Sequence, residues 1–268
     1  MSEKIGVSII TCNRPVMFKK CLDSIKDNPD LNEIVIVNDG LGHTYHQSQK
    51  YPLIQHIPEK QGVAKSKNDA LQYLLGMDCD HIFLIEDDMF IKDPNIFQAY
   101  INASKKSGIQ HFNYSQHGFA NKIGDNIGNI VPNPKITVRY DNIGISFYQH
   151  CVGSFSYYSR KCLEEVGIMD ERYYNACEHV DHTYGIIKKR YHPPFWWFAD
   201  IENSWEYIGD DGWSIETSSI CSNPSFTEYI KNADNIFLEK HGHVPTQIQI
   251  SSEEQFFKSL KHLRQTWT

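Results

Sequence analysis

The segment HIFLIEDDM (81–89) constrains the fold more than any other, because a nearly unbroken apolar run ends in three consecutive acids, Glu86, Asp87 and Asp88. Such a run reads as a strand buried on both faces. Three carboxylates at its end repel one another and lose hydration, so they need a bound cation or an ordered set of donors to compensate them. A hard divalent ion with oxygen ligands is the simplest compensator. A solvated turn is the plainer reading of an isolated acidic triplet, and the chain upstream argues against it.

IGVSIIT (5–11) is a short β-branched run. From Pro15 to Lys26, Phe18, Cys21, Leu22 and Ile25 recur at helical spacing behind a proline suited to a first turn. EIVIVND (33–39) is a second buried strand. Strand, helix and strand make a right-handed βαβ unit with a parallel sheet. Gly62 to Gly76 reads as the next helix, with Ala64, Leu71, Leu74 and Leu75 on its apolar stripe, and it delivers the chain to the acid-tipped strand. In parallel α/β sheets the ligand crevice lies beyond the carboxyl ends of the strands. Three ends carry polar groups here: Thr11, Asn13 and Arg14; Asn38 and Asp39; and Glu86 to Asp88.

VSIITCNRP, IVIVNDG, GVAKSKNDAL and FLIEDDM, in that order, resemble the nucleotide-sugar-binding motifs of family 2 glycosyltransferases with the GT-A fold. SRKCLEEVGIMDERYYNACEHVDHTYGI (159–186) is similar to that family's acceptor-side block. The resemblance runs from about residue 5 to about residue 190. It implies an α/β fold with a Rossmann-like, mostly parallel central sheet flanked by helices, a smaller mixed sheet and a C-terminal extension. By the same resemblance Asp39 binds a uracil ring, Thr11, Asn13 and Arg14 form the loop around the base, and Lys67 and Asn68 lie near the nucleotide with Glu86 and Asp87. Lys67 stands where the family has arginine, keeping the charge and losing the bidentate fork. Glu86 and Asp88 match the outer acids of the Asp-x-Asp motif, which implies Mn²⁺ or Mg²⁺ on Asp88 and Glu86. His192, His241 and His243 are candidates for a further metal ligand from the C-terminal side, and His192 is the one assigned to the metal.

The acceptor block departs from the family at one place. The family commonly has glutamate-aspartate there, and this chain reads Glu178-His179, followed by Asp181. The matching aspartate would be the general base, so Glu178, His179 and Asp181 are the catalytic candidates, with Glu178 favoured. On a helix Glu178 would lie next to His182 and close to Asp181. His182 itself reads as a surface residue.

At 268 residues and 40% hydrophobic, the chain can bury a substantial core. The expected organisation is a catalytic domain over 1–210, with a nucleotide-sugar half (1–100) and an acceptor half (101–210), and a C-terminal extension over 211–268 packed on it. Gln110 to His150, with NYSQHG, IGDNIG and VPNPK, reads as turns and short strands. Of Trp196, Trp197 and Trp205, at least two read as core. A net charge of −7 argues against a surface coated for nucleic acid, and Lys188, Lys189 and Arg190 read either as a basic track or as the cation-rich end of a helix. Seven cysteines without framework spacing, and a start that lacks a signal-peptide profile, suggest the cytoplasm.

The sequence thus points to an inverting transfer of a sugar from a UDP-sugar to an acceptor hydroxyl. A bacterial surface glycan or glycolipid is the expected acceptor, with peripheral membrane association open to such an enzyme. A hydroxymethylated DNA base is the second acceptor class, and a non-catalytic carbohydrate-binding relative is the rival of another kind. A sugar-nucleotide pyrophosphorylase would want a glycine-rich phosphate loop after the first strand, and TCNRP is not one.

Overall fold

The computed structural model describes residues 3–40, 50–124, 129–210, 218 and 220–266. Part of IGDNIG and the first residues of the C-terminal extension lie outside the described residues.

The β-branched runs form the strands expected of them. β1 (Ile5–Thr11), β2 (Glu33–Asn38), β3 (Leu53–Gln55) and β4 (His81–Glu86) are mutually parallel. They lie in a six-stranded sheet of order β3-β2-β1-β4-β11-β6. β11 (Phe155–Ser159) joins β4 antiparallel, and β6 (His111–Asn113) joins β11 in the same sense. β1 is buried at every position and β4 at every position but its last. Helix α1 (Pro15–Ile25) covers one face with Phe18, Cys21, Leu22 and Ile25, and α2 (Val63–Gly76) covers the other with Leu71 and Leu74. The two core clusters therefore lie on opposite faces of one sheet, as a doubly covered parallel sheet requires.

The polar middle of the chain supplies short strands. β5 (Met89–Ile91) follows the acids, and β7 (Lys122–Gly124) and β8 (Ile130–Pro132) pair as a ribbon. β9 (Ile136–Tyr140) and β10 (Ile143–Tyr148) form a hairpin, joined by β12 (Phe198–Ile201) into a second sheet, while β13 (Ile208–Asp210) pairs with β5. Helix α3 (Ile96–Ser107) packs on β10 and β12. Helices α4 (Arg160–Val166) and α5 (Glu178–Lys188) return the chain to the α2 face, and α6 (Ser204–Tyr207) is a single turn before β13.

Two C-terminal helices close the structure. α7 (Phe226–His241) packs Ala233 and Ile236 against Ala64, Tyr173 and Ala176. α8 (Glu253–Thr266) drives Phe256, Leu260 and Leu263 into the α1-side core, where Phe256 stacks on Trp197 at 4.3 Å. Of Trp196, Trp197 and Trp205 only Trp197 is buried in the core, against the expected two; Trp205 is half-buried, and so is Trp196, whose indole N–H is donated to the Ile248 carbonyl. Lys188 lies in the last turn of α5 and Lys189 and Arg190 follow it, so the basic trio ends a helix. No described helix is long and apolar enough to cross a membrane.

Candidate active site

The parallel strands deliver their carboxyl ends to one edge, and the acids arrive there pinned on both sides. The Glu86 amide donates to the Ser154 carbonyl at 2.8 Å and the Asp87 amide to the Ile10 carbonyl at 3.0 Å. Asp87 is buried, accepts from Thr11 Oγ1 at 2.6 Å, and is ion-paired to Arg14. Arg14 also reaches Asp88 Oδ2 at 3.2 Å. Asp88 Oδ1 is buried without a hydrogen-bond partner.

Charge is unbalanced at this edge. Glu86, Asp87, Asp88 and Glu178 face two permanent cations, Arg14 and Lys67, a formal excess of two negative charges when every carboxylate is ionised. Burial pushes Asp87 up to about 7 against the pull of Arg14 and Thr11. Asp88 is raised by burial and then by Glu86. Arg14, although burial opposes its charge, is raised by Asp87, Asp88 and Glu86.

Lys67 is not at a nucleotide surface as the resemblance implied. It is 1% exposed, and its ammonium sits 2.7 Å from Glu86 Oε1, 2.9 Å from Glu178 Oε1 and 3.0 Å from the Gly153 carbonyl. A compact ammonium fits three oxygens converging on one point better than a planar guanidinium would. Lys67 thus joins the acid-tipped strand to the start of α5. Burial works against its charge, and the two glutamates hold it firmly charged.

Glu178 is the buried half of the acceptor-side pair. Burial opposes its ionisation, but Lys67 and then His179 hold it far below the usual carboxylate range. Its Oε1 lies 3.1 Å from His179 Nδ1. The His179 side chain is 22% exposed and lines a cavity of about 520 Å³. A Cβ on Gly153 would come within 2.6 Å of the His179 ring, so this glycine is what lets the ring lie against the backbone.

The cavity beside His179 is walled largely by apolar side chains, among them Phe119, Val152, Phe226 and Ile230. A smaller cavity of about 110 Å³ is lined by Thr11, Arg14, Asp39, Lys60, Tyr174 and Tyr229. The two share Val63, Glu86, Asn175 and Ile220. Asp39, at the end of β2, accepts the amides of Gln61 at 2.6 Å and Gly62 at 2.9 Å. Gly62 has φ +88° and a Cβ there would meet the Tyr174 carbonyl at 2.3 Å, so glycine is required at this corner.

The structure therefore brings together Thr11, Arg14, Asp39, Glu86, Asp87, Asp88, Glu178 and His179. Asn13 sits in the same loop at φ +56° with its side chain against Gly40. Three assigned residues are turned elsewhere. Asn68 is closed on the backbone of Met169, donating to its carbonyl and accepting its amide, both at 2.8 Å. Asp181 faces α7, bound by Lys240 at 2.5 Å, His241 at 2.8 Å and the Tyr173 hydroxyl at 3.2 Å, so it acts as a helix tie. His192 is buried with Nδ1 at 2.9 Å from the Pro193 carbonyl and Nε2 accepting the Ala199 amide, which leaves neither nitrogen for a metal. His182 is buried rather than exposed, with Nε2 on the Gly167 carbonyl. His241 is spent on Asp181, and His243 Nε2 lies 3.1 Å from the Tyr184 hydroxyl. Strand and helix period fix a face, but they do not say which partner, near or distant, claims a side chain.

Sequence reasoning missed His56, His117 and Gly153. His117 lines the larger cavity, sits 3.0 Å from Asp210, and is raised, despite burial, by Asp210 and Asp88. It lies in a glycine-bearing polar stretch whose pattern gives no sign of a site.

The fold and this strand-end site define a GT-A glycosyltransferase. Similarity to solved structures supports the fold. The crystal structure of S. aureus TarS superposes with a TM-score of 0.53 at 15% identity, covering 97% of this chain and 48% of that one. GalNAc-T7 with UDP, GalNAc and Mn²⁺ superposes at 0.57 with 11% identity, covering 97% and 54%. The chain spans about half the length of these two proteins. A curated relative, "Uncharacterized glycosyltransferase R363" of Acanthamoeba polyphaga mimivirus, is 26% identical over 232 residues, covering 81% of this chain and 85% of that protein. The model of glycosyl transferase family 2 matches residues 7–167, more than half of the chain. The chain belongs to that family.

Proposed function

We propose that this enzyme transfers a sugar from a UDP-sugar to an acceptor hydroxyl with inversion, using a divalent ion and His179 as general base. The observation that carries the reading is that Glu86 is common to both cavities and is joined through Lys67 to the Glu178–His179 pair. Donor and acceptor chemistry would thus share one charged bridge.

The smaller cavity suits the nucleoside. Asp39 accepts the imide N–H of uracil, and Tyr174 and Tyr229 offer ring faces beside it. The residues fit a divalent ion at the strand end, given the unpartnered Asp88 Oδ1 and the formal excess of two negative charges. Among the described residues no three metal-binding side chains gather. Asp88, with Glu86 beside it, would hold the ion, and the rest of its sphere would come from diphosphate and water. When bound it neutralises charge on the departing diphosphate. GalNAc-T7 carries UDP and Mn²⁺ in its solved structure.

The larger cavity suits the acceptor, a glycan or glycolipid whose apolar ring faces or aglycone meet Phe119 and Phe226. There the Glu178–His179 pair divides the work. Glu178, ionised and locked on Lys67, is a weak proton acceptor. It orients the imidazole and stabilises its charged form, as a carboxylate does behind a catalytic histidine. His179 then takes the hydroxyl proton at Nε2. The sequence favoured Glu178 as the base, and its burial against Lys67 moves that role to the neighbouring histidine.

The test is UDP release from a panel of UDP-sugars with Mn²⁺, alongside calorimetry of UDP binding. Asp88→Asn should abolish metal-dependent turnover with the thermal melt unchanged, and Asp39→Ala should weaken UDP at least about tenfold. Near wild-type turnover in Asp88→Asn, at saturating donor, would remove the metal assignment.

A further inference from the structure

His56 stands just past β3, where its amide continues the ladder by donating to the Asn38 carbonyl at 3.0 Å. Its ring is wedged between two carboxylates. Nδ1 lies 2.9 Å from Asp39 Oδ1 and Nε2 lies 2.7 Å from Asp69 Oδ2, with the side chains of His56, Asp39 and Asp69 only 8%, 10% and 15% exposed. Ionised carboxylates only accept hydrogen bonds, so both contacts are satisfied together when both ring nitrogens carry protons. Lys65 ion-pairs with the same Asp69, and Glu171 lies 3.8 Å beyond Lys65.

The arrangement fixes which part of Asp39 is left for a ligand. Among the described residues, Oδ1 is taken by His56 and by the Gln61 amide, while Oδ2 accepts the Gly62 amide alone. Asp39 also lines the smaller cavity, and Oδ2 is its oxygen with the more acceptor capacity left. Without the imidazole, Oδ1 would keep only the Gln61 amide and the carboxylate would be held by two backbone donors instead of three groups.

We propose that His56 is a positioning residue for donor recognition: held by Asp69, it works with the Gln61 and Gly62 amides to fix the Asp39 carboxylate so that Oδ2 is presented to a ring N–H of the donor base. The inference rests on Asp39 being the base-recognising group. It adds a selectivity rule, because a fixed acceptor favours uracil, with a protonated ring N3, over cytosine, whose N3 is itself an acceptor. The charged groups around the ring are Asp39 from the β2 end, Asp69 and Lys65 from α2, Glu171 behind Lys65, and Lys60 on the cavity wall.

The experiment is calorimetric titration of UDP and CDP into wild type, His56→Gln, Asp69→Asn and Asp39→Ala, with steady-state kinetics on the first three. Glutamine can donate to only one of the two carboxylates. His56→Gln and Asp69→Asn should each weaken UDP about 5- to 20-fold and narrow the preference for UDP over CDP. KM for the UDP-sugar should rise while kcat stays within about twofold, a split that a merely structural role would not produce. If Asp39→Ala loses UDP while both other variants bind like wild type, His56 has no positioning role and the reading of Asp39 stands. If Asp39→Ala binds UDP normally, both fall. Should His56→Gln fail to fold, Asp69→Asn decides alone.

Discussion

Of the carboxylate–imidazole pairs at the two cavities, Asp39–His56 and Glu178–His179 are wired differently. On the donor side both nitrogens of His56 meet carboxylates, Asp39 and Asp69. On the acceptor side His179 meets one carboxylate, Glu178, through Nδ1, and that carboxylate is already claimed by Lys67. A ring held at both ends is a strut and has no nitrogen to spend on chemistry. A ring held at one end, beside a cavity, can take a proton from whatever enters. On the proposed reading the same two residue types would serve binding in one place and proton transfer in the other.

The contrast is most exposed at His179. His179→Ala should cut kcat by about 10²–10⁴, the usual loss for a positioned base, while UDP affinity holds. His56→Gln should do the reverse. Equal kcat in wild type and His179→Ala would erase the distinction between the two rings.

The next largest effect concerns the bridge. Lys67→Met leaves Glu178 and Glu86 without their shared cation, and removing one partner of a buried ion pair costs about 3–5 kcal/mol. Urea denaturation should show that loss, and Lys67→Arg should recover only part of it because the guanidinium cannot place one charge on three oxygens. A melt of Lys67→Met like that of wild type would mean that the bridge carries no stability.

The smallest effect is in acid. Glu178 is held below its ordinary value of 4.5, with burial opposing and Lys67 then His179 prevailing. A carboxylate depressed on folding adds stability that is complete above its unfolded value and is lost as pH falls through the folded one. Wild type should therefore exceed Glu178→Gln in Tm at pH 6, and the gap should narrow steadily below about pH 4.5. A constant gap from pH 6 to pH 3 would show that Glu178 is not ionised in the fold.

The strand-end half of the candidate site was legible because Thr11, Asp39 and the three acids each close a strand whose apolar pattern is plain. Thr11, Asp39 and Glu86 to Asp88 could be placed at one sheet edge from IGVSIIT, EIVIVND and HIFLIEDD alone. The acceptor half was not, since its geometry depends on contacts across more than a hundred residues. Nothing local distinguishes Glu178, which turns to Lys67, from Asp181, which turns to Lys240 and His241. The same holds for His192, whose imidazole is consumed by neighbouring backbone, and for Asn68, which splints the loop at Met169. His56 carries no periodic signal at all, and its meaning appears only when β3 is laid beside β2.

The α8 packing bears on how the chain acquires its fold during synthesis. Phe256, Leu260 and Leu263 belong to the same core as Ile5, Val7 and Phe18, so β1 is finished by a helix made some 250 residues later. The inner surfaces of Phe147 and Trp197, which Phe256 covers, wait for α8 before that side of the core is closed. Folding of the β1 side therefore completes only once α8 has been made, however early its strands pair.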